Sequence, residues 1–301
     1  MLTPVQCERI DVVLVSPRNP LNIGAAARAM ANFGFHRLSI VAPYAQNWME
    51  AKSAVGAPDL LREATVHETL AEAVAHCTLV LGTGSLDRRR PVQAILDLPE
   101  AAAQIRANLA YLESPSLPDS LGSAKGTGFS PYISRAGLDR ALAPEANSAR
   151  VALLFGSEKH GLTSDDLSSC HALIVIETCD AQPSMNLGQA VAVCLYEISR
   201  NSPSQFESIL SQPTQPDPAG IKAPNAIETP NANSGQLDRL AALIEETMEA
   251  VNYSTRGMRS ANGEALRILL RRLMPNEADL RRMMGLFRRI LWQLRRQNGK
   301  L

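Results

Sequence analysis

Short apolar runs alternate with helix-patterned segments from residue 10 to residue 200. Ile10–Ser16 (IDVVLVS), Leu38–Ala42 (LSIVA), Thr78–Gly82 (TLVLG), Val151–Phe155 (VALLF) and Leu173–Thr178 (LIVIET) are rich in β-branched residues and read as buried strands. Between them, Asn22–Phe33 is Ala-rich, free of proline and followed by Gly34, so it reads as a helix with its stop signal. Val66–Cys77 and Asn186–Arg200 also carry a helical pattern. Continuous apolar strands separated by helices predict an α/β fold with a mostly parallel sheet and helices on both faces.

Two segments break the pattern. Glu113–Arg150 holds 7 Ser, 4 Pro and 4 Gly and has no sustained period, so it reads as a flexible insertion. Residues 202–235 carry 6 Pro among Asn, Ser and Gln, the composition of a linker too poor in apolar residues to fold alone. Beyond it apolar residues recur at three- and four-residue steps: Leu266, Leu269, Leu270, Leu273, then Leu280, Met283, Met284, Phe287, Ile290, Leu291 and Leu294. Pro275 separates the last two helices, and Asn276–Glu277 offers a helix start. The expected organisation is an α/β domain over 1–201 with its insertion at 113–150, a linker over 202–235 and a small helical domain over 236–301.

Charge changes this picture. The 301 residues carry 30 Lys+Arg and 30 Asp+Glu, which argues against a nucleic-acid partner only if the charge is evenly spread. It is not. Residues 236–301 hold 13 Lys+Arg against 7 Asp+Glu, so the preceding 235 residues are acidic by the same margin. The basic excess is a solvated helix face or a phosphate-binding patch, and its arginine content suits bidentate phosphate contacts. No apolar run is long enough to span a membrane. The N-terminus lacks the pattern of a signal peptide. Five cysteines with no C-x-x-C spacing argue against a disulfide framework or a zinc site, and a reducing cytoplasm is expected.

Three motifs follow predicted strands, where open α/β sheets bind ligands. The first is Asn22-Ile23-Gly24-Ala25-Ala26-Ala27-Arg28, in which Asn22 can cap the helix. The second is Gly82-Thr83-Gly84-Ser85, with Arg88-Arg89-Arg90 close behind. Asp87 stands where a dinucleotide fingerprint requires its third glycine, so a nicotinamide site fails on its own pattern. The third is Phe155-Gly156-Ser157-Glu158-Lys159-His160-Gly161-Leu162, paired with Ser184-Met185-Asn186-Leu187 opening a helix. Taken alone, Ser184 and Asn186 read equally as helix caps, Arg28 as a surface arginine, His160 as a weak catalytic candidate, and Cys170 and His171 as structural.

In their order and spacing, these motifs resemble the SpoU/TrmH family of SPOUT RNA methyltransferases over residues 10–200, the insertion apart. The C-terminal helices look like those of the TrmJ-type tRNA methyltransferases, which modify the ribose 2′-hydroxyl of residue 32 in the anticodon loop. The resemblance implies an α/β-knot fold, with a deep trefoil knot, plus the C-terminal helical domain. It implies S-adenosylmethionine as cofactor, a homodimer, tRNA as partner, a cytoplasmic location, and no membrane or metal. Carried over by motif, the cofactor would be held by Thr83, Gly84, Ser85, Gly156, Leu162, Ile176, Ser184, Met185 and Leu187. Arg28, Glu158, Ser184 and Asn186 match the catalytic constellation, with Glu158 expected to hold Arg28, across a dimer if not within one chain. Asn22, Arg88, Arg89, Arg90 and Lys159 are the RNA-contact candidates. The alternatives are a 2′-O-methyltransferase of another tRNA position or of rRNA, and a knotted RNA-binding protein without catalysis.

Overall fold

A computed structural model describes residues 2–44, 48–84, 91–110, 149–179, 181–200, 230–253 and 257–298. Residues 113–148 of the expected insertion, most of the linker, Ser85 and the triplet Arg88, Arg89 and Arg90 lie outside the described residues.

Among the described residues seven strands form one sheet, β1 (Ile10–Val15), β2 (Arg37–Val41), β3 (Thr65–His67), β4 (Leu79–Thr83), β5 (Ala94–Leu96), β6 (Val151–Phe155) and β7 (Ala172–Ile174). Every pairing is parallel, and the order is β3-β2-β1-β6-β4-β7-β5. The two-residue alternation of strand side chains divides each strand between two cores. Val12, Leu14, Leu79, Leu81, Leu153 and Phe155 enter one, and Val13, Val15, Val80, Ala152 and Leu154 enter the other. Both faces are therefore covered, which explains why the strands read as unbroken apolar runs.

The helices of this unit are α1 (Pro4–Cys7), α2 (Pro20–Phe33), α3 (Pro58–Arg62), α4 (Leu70–Val74), α5 (Leu98–Ala110), α6 (Ser164–Ser168) and α7 (Leu187–Ser199). Helix α2 starts earlier than the alanine pattern suggested. Asn19, not Asn22, is its cap, accepting a hydrogen bond from the Leu21 amide at 2.9 Å, and Pro20 occupies the first turn. Gly34 ends the helix at φ +77°, a left-handed conformation that suits glycine. Small residues on α2 and α7 bring the two helices together: a Cβ on Gly188 would lie 2.6 Å from that of Ala25.

The expected helix Val66–Cys77 splits. Thr65–His67 pairs with β2 as the sheet edge, and a Thr69–Glu72 capping box starts the short α4. The apolar run Leu173–Thr178 leaves the sheet after Ile174. Strand β5 and helix α5 had no sequence expectation; Asp97 and Glu100 bond each other's backbone amides at the start of α5.

Asp11, at the amino edge of the sheet, is buried and binds Arg37 Nε at 2.5 Å and His76 Nε2 at 2.6 Å, with Arg150 3.8 Å away. Burial pushes its carboxyl up, but the bonds and charges of His76 and Arg37 overcome this and hold it below the ordinary aspartate range.

The C-terminal helices are α8 (Ser234–Ala250), α9 (Arg259–Leu273) and α10 (Glu277–Asn298). Leu237, Leu240, Leu270, Leu280 and Met284 form their own core. The helical unit begins before residue 236, because Glu277 N donates to Pro230 O and Ala232 N to Pro275 O. It is fastened to the α/β unit. Ser234 and Gly235 amides donate to the Cys77 and Ala75 carbonyls. Arg271 is fully buried and donates to Ser169 O (2.9 Å), Ser234 Oγ (3.0 Å) and Asp238 (2.8 Å). Arg267 holds Ser168 Oγ and Asp165. These two arginines of the basic tail therefore serve an internal contact. Among the described residues no helix is long and apolar enough to cross a membrane.

Candidate functional site

Strands β6, β4 and β7 are adjacent and parallel, so the loops leaving their carboxyl ends converge. They enclose a cavity of about 330 Å³. Thr83 and Gly84 end β4; Phe155 and residues 156–162 follow β6; Ile176 and Thr178 follow β7; Pro183, Ser184, Met185, Leu187 and Ala190 come from the loop and helix beyond. The continuous apolar run after Ile174 is thus explained: Ile176 faces a cavity, where it needs no strand partner.

The volume falls in the range of small-molecule sites. Phe155, Leu162, Ile176, Met185 and Leu187 supply apolar surface, and Thr83, Ser157 and Ser184 supply hydroxyls. Two glycines shape the loops differently. A Cβ on Gly84 would meet nothing within 4 Å, so bare backbone faces open space. A Cβ on Gly156 would lie 2.1 Å from the Gly161 carbonyl carbon and 2.2 Å from Leu162 N. The loop over residues 156–162 therefore folds back on itself only because residue 156 has no side chain. It closes with Gly161 N donating to Ser157 O at 2.8 Å, with Gly161 at φ +65°.

Glu158 joins the first motif to both parts of the third. Its carboxylate accepts from the Arg18 amide (2.9 Å), the Asn19 amide (3.0 Å) and Asn22 Nδ2 (2.9 Å). Asn22 Oδ1 accepts from Asn186 Nδ2 at 2.9 Å, and Asn186 Oδ1 accepts from the Gly188 amide as the cap of α7. Partial burial raises the Glu158 carboxyl, but hydrogen bonds from Asn22, its own backbone amide, Arg18 and Asn19 outweigh this and lower it below the ordinary glutamate range. Glu158 is consequently a carboxylate at neutral pH. Its role is to tie the loop after β6 to the loop after β1.

Of the expected cofactor residues, Thr83, Gly84, Gly156, Leu162, Ile176, Ser184, Met185 and Leu187 all line the cavity. Ser85 lies outside the described residues. Glu158 and Ser184 of the expected catalytic set also line it, whereas Asn186 reaches it through Asn22 and Glu158. Arg28 does not line it. It is exposed on α2, and among the described residues it makes no ion pair, so Glu158 does not hold it within one chain. Asn22, expected at the RNA surface, has both amide atoms engaged inside the protein. Lys159 is exposed at the cavity mouth.

The loop amides of Arg18 and Asn19 were missed, because backbone donors leave no residue signature. Thr178 and Ala190 were missed as lining. His171, read as structural, is buried, and its Nδ1 accepts from the Val80 amide at 3.0 Å.

The SpoU rRNA Methylase family matches residues 9–196. Over most of its length the chain is similar to curated proteins. It is 30% identical over 285 residues to the tRNA (cytidine/uridine/adenosine-2′-O-)-methyltransferase TrmJ of Pseudomonas aeruginosa, covering 94% of this chain and 93% of that protein. It is 29% identical over 280 residues to the tRNA (cytidine/uridine-2′-O-)-methyltransferase TrmJ of Cronobacter sakazakii, covering 93% and 94%. The crystal structure of TrmJ from Z. mobilis ZM4 shares the fold with a TM-score of 0.68 at 24% identity, over 93% of this chain and 98% of that one.

Proposed function

The chain belongs to the SpoU rRNA methylase family, and from that premise we propose that it methylates a ribose 2′-hydroxyl of tRNA with S-adenosylmethionine as donor. The observation that carries this reading is the cavity at the carboxyl edge of β4, β6 and β7, where Glu158 anchors one bordering loop to Asn22 and, through it, to Asn186. Its residues fit the cofactor. Apolar side chains would suit an adenine, hydroxyls and bare backbone would suit a ribose, and Glu158, the only carboxylate among the described lining residues, brings negative charge to the rim of a site for a cationic donor. When bound, the cofactor supplies an electrophilic methyl group.

The chain's own residues have three tasks: to fix the loops, to orient the acceptor and to help its hydroxyl lose a proton. Gly156 and Glu158 set the loop that borders the cavity. Ser184 contributes a hydroxyl at its edge. Arg28 is the group assigned to the acceptor ribose. A guanidinium stays protonated, so its role is to stabilise a developing alkoxide or to pin a neighbouring phosphate. Arg28 lies outside its own chain's cavity and is unpaired among the described residues, which supports its acting at the cavity of a second copy in a homodimer. Leu21 lies on the same face of α2, and Leu21 and Tyr196 are 54% and 52% exposed, apolar surface that a partner copy would cover.

The insertion of β6 and β7 on either side of β4 supports a trefoil knot in this half of the sheet. Residue 32 of the anticodon loop is the proposed target, and the cytoplasm the proposed location. The proposed organisation is the α/β domain to residue 201 and a helical domain joined to it by the linker. Arg88, Arg89, Arg90 and Lys159 are proposed contacts to the tRNA backbone beside the cavity.

Single-turnover methylation of unmodified tRNA by Arg28→Ala tests the reading. The expected result is a loss of rate of at least about a hundredfold, with S-adenosylmethionine affinity by calorimetry unchanged. Near-normal turnover would remove Arg28 from the chemistry. Failure of the wild-type chain to bind S-adenosylmethionine would favour the non-catalytic RNA-binding reading.

A further inference from the structure

Helix α10 carries a repeat that no part of the site uses. Arginine pairs recur every seven residues: Arg281-Arg282, Arg288-Arg289 and Arg295-Arg296. The inner face of the helix, Leu280 and Met284 with Met283 and Phe287, is packed in the helical core, and Leu291 on the same face is buried. The arginine pairs lie on the opposite, exposed face, with successive pairs about 10 Å apart along the axis. Two residues occupy the middle of this stripe, Gly285 and Trp292.

Neither is explained by packing. A Cβ on Gly285 would meet nothing within 4 Å, yet glycine costs helix stability at such a position. Trp292 is 47% exposed. The Arg289 guanidinium lies 4.6 Å from its ring centre and that of Arg296 5.4 Å, one arginine from each flanking pair. Leu286 adds exposed apolar surface beside Arg289. Carboxylates partner Arg281, Arg282 and Arg295, through Glu277, Asp279 and Glu246. Among the described residues none partners Arg288, Arg289 or Arg296, so the positive charge around the indole is uncompensated.

We propose that Trp292 is a stacking platform for an unpaired RNA base, with Arg289 and Arg296, which cover the indole in the free chain, swinging off it to take the phosphates on either side of that base. An exposed aromatic ring between uncompensated guanidiniums matches a single strand, which offers a π-face and a phosphate at each step. The bare backbone at Gly285 gives a sugar–phosphate chain room to approach the helix closely. A second copy of the chain is a poor occupant, because two such stripes would oppose like charges. A membrane is a poor occupant too, because the apolar face of α10 is already buried. The proposal rests on the tRNA substrate proposed above and deepens it, assigning one base contact to the tail.

Fluorescence provides the test. The chain has two tryptophans, and Trp48 is buried at 4% exposure, so Trp292 is the ring open to a ligand. Wild type, Trp292→Phe, Trp292→Leu and Trp292→Ala are titrated with a short oligouridine, a duplex RNA of the same length and unmodified tRNA. Oligouridine is expected to quench wild-type emission more than the duplex does. Ala and Leu are expected to weaken oligouridine binding and raise KM for tRNA by about tenfold. Phe should restore both, with kcat and S-adenosylmethionine affinity unchanged throughout. Equal binding by wild type, Ala and Leu would overturn the proposal, as would equal rescue by Leu and Phe. A drop in the sedimenting mass of Trp292→Ala would also overturn it, by making this face an interface between copies. If wild type binds oligouridine through Trp292 but transfers no methyl group to tRNA, the substrate reading fails and the platform stands. If methylation proceeds with KM untouched in Ala and Leu, the platform fails and the substrate reading stands.

Discussion

Replacing Arg271 with Met isolates what fastens the helical tail to the α/β unit. The side chain is fully buried and, besides a long 3.5 Å bond to the Arg267 carbonyl of its own helix, reaches three acceptors on two units: the Ser169 carbonyl, Ser234 Oγ and Asp238. Met has similar length, so the volume is largely kept and the polar partners carry the cost. Loss of the two neutral acceptors costs about 1 kcal/mol each. The Asp238 carboxylate is 29% exposed and regains water, so its charge-assisted bond contributes nearer 1 than 3 kcal/mol. The sum, about 3 kcal/mol, lies at the lower end of the range for removing one partner of a buried pair. At about 2–4 °C per kcal/mol, the melting temperature should fall by roughly 6–12 °C. Arg271→Lys should recover only part, because an ammonium cannot span three acceptors as the planar fork does. Circular dichroism melts and urea titrations read the stability, and calorimetry reads the two ligands. Affinity for tRNA should fall by about tenfold, worth 1.4 kcal/mol, with S-adenosylmethionine affinity held. An unchanged melting temperature in Arg271→Met would refute the reasoning, since it would mean that the buried guanidinium contributes nothing net.

Two glycines should separate stability from binding. Gly156→Ala forces the loop apart and should cost about 1–3 kcal/mol together with cofactor affinity, whereas Gly84→Ala should keep the wild-type melt and lose affinity only, as its methyl would enter the cavity. Glu158→Gln presents an amide N–H₂ to backbone donors, so methylation should fall by at least about tenfold for a stability loss of about 1–2 kcal/mol; wild-type rates in this variant would show that the network is dispensable. Burial first and Arg271 second lower the His171 pKa to about 3, so the unfolded chain takes up this proton first as pH falls. Stability should therefore decline below about pH 6.5 with a slope approaching 1.4 kcal/mol per pH unit. Asp11 and Glu158, whose folded pKa values are depressed, lose their contributions only as pH falls below the ordinary carboxylate range. Urea titrations at pH 6.5 and 4.5 should show a smaller difference for His171→Asn than for wild type, and equal differences would contradict the assignment.

The apolar runs made the sheet legible because both of its faces are buried, and the polar groups just beyond those runs pointed to the cavity. What stayed hidden depended on partners distant in sequence. Asn22 looked like a helix cap until Asn19 was found in that role, which frees Asn22 to join Glu158 to Asn186. Thr65–His67 is a strand only because β2 lies beside it. The tail's arginines share one composition but have separate fates. Arg271 is sealed inside, Arg267 is tied to α6, and the pairs on α10 face outward. Arg28 lies exposed on the small-residue helix α2, and its expected bond to Glu158 is absent within the chain, where the backbone amides of Arg18 and Asn19 and the Asn22 side chain occupy that carboxylate.

The most direct test of the central claim is to incubate the purified chain with unmodified tRNA and methyl-labelled S-adenosylmethionine, digest the product, and identify the labelled nucleoside and its position. The account predicts one 2′-O-methylated ribose in the anticodon loop, at residue 32. Label on a base, or none transferred to tRNA, would contradict it.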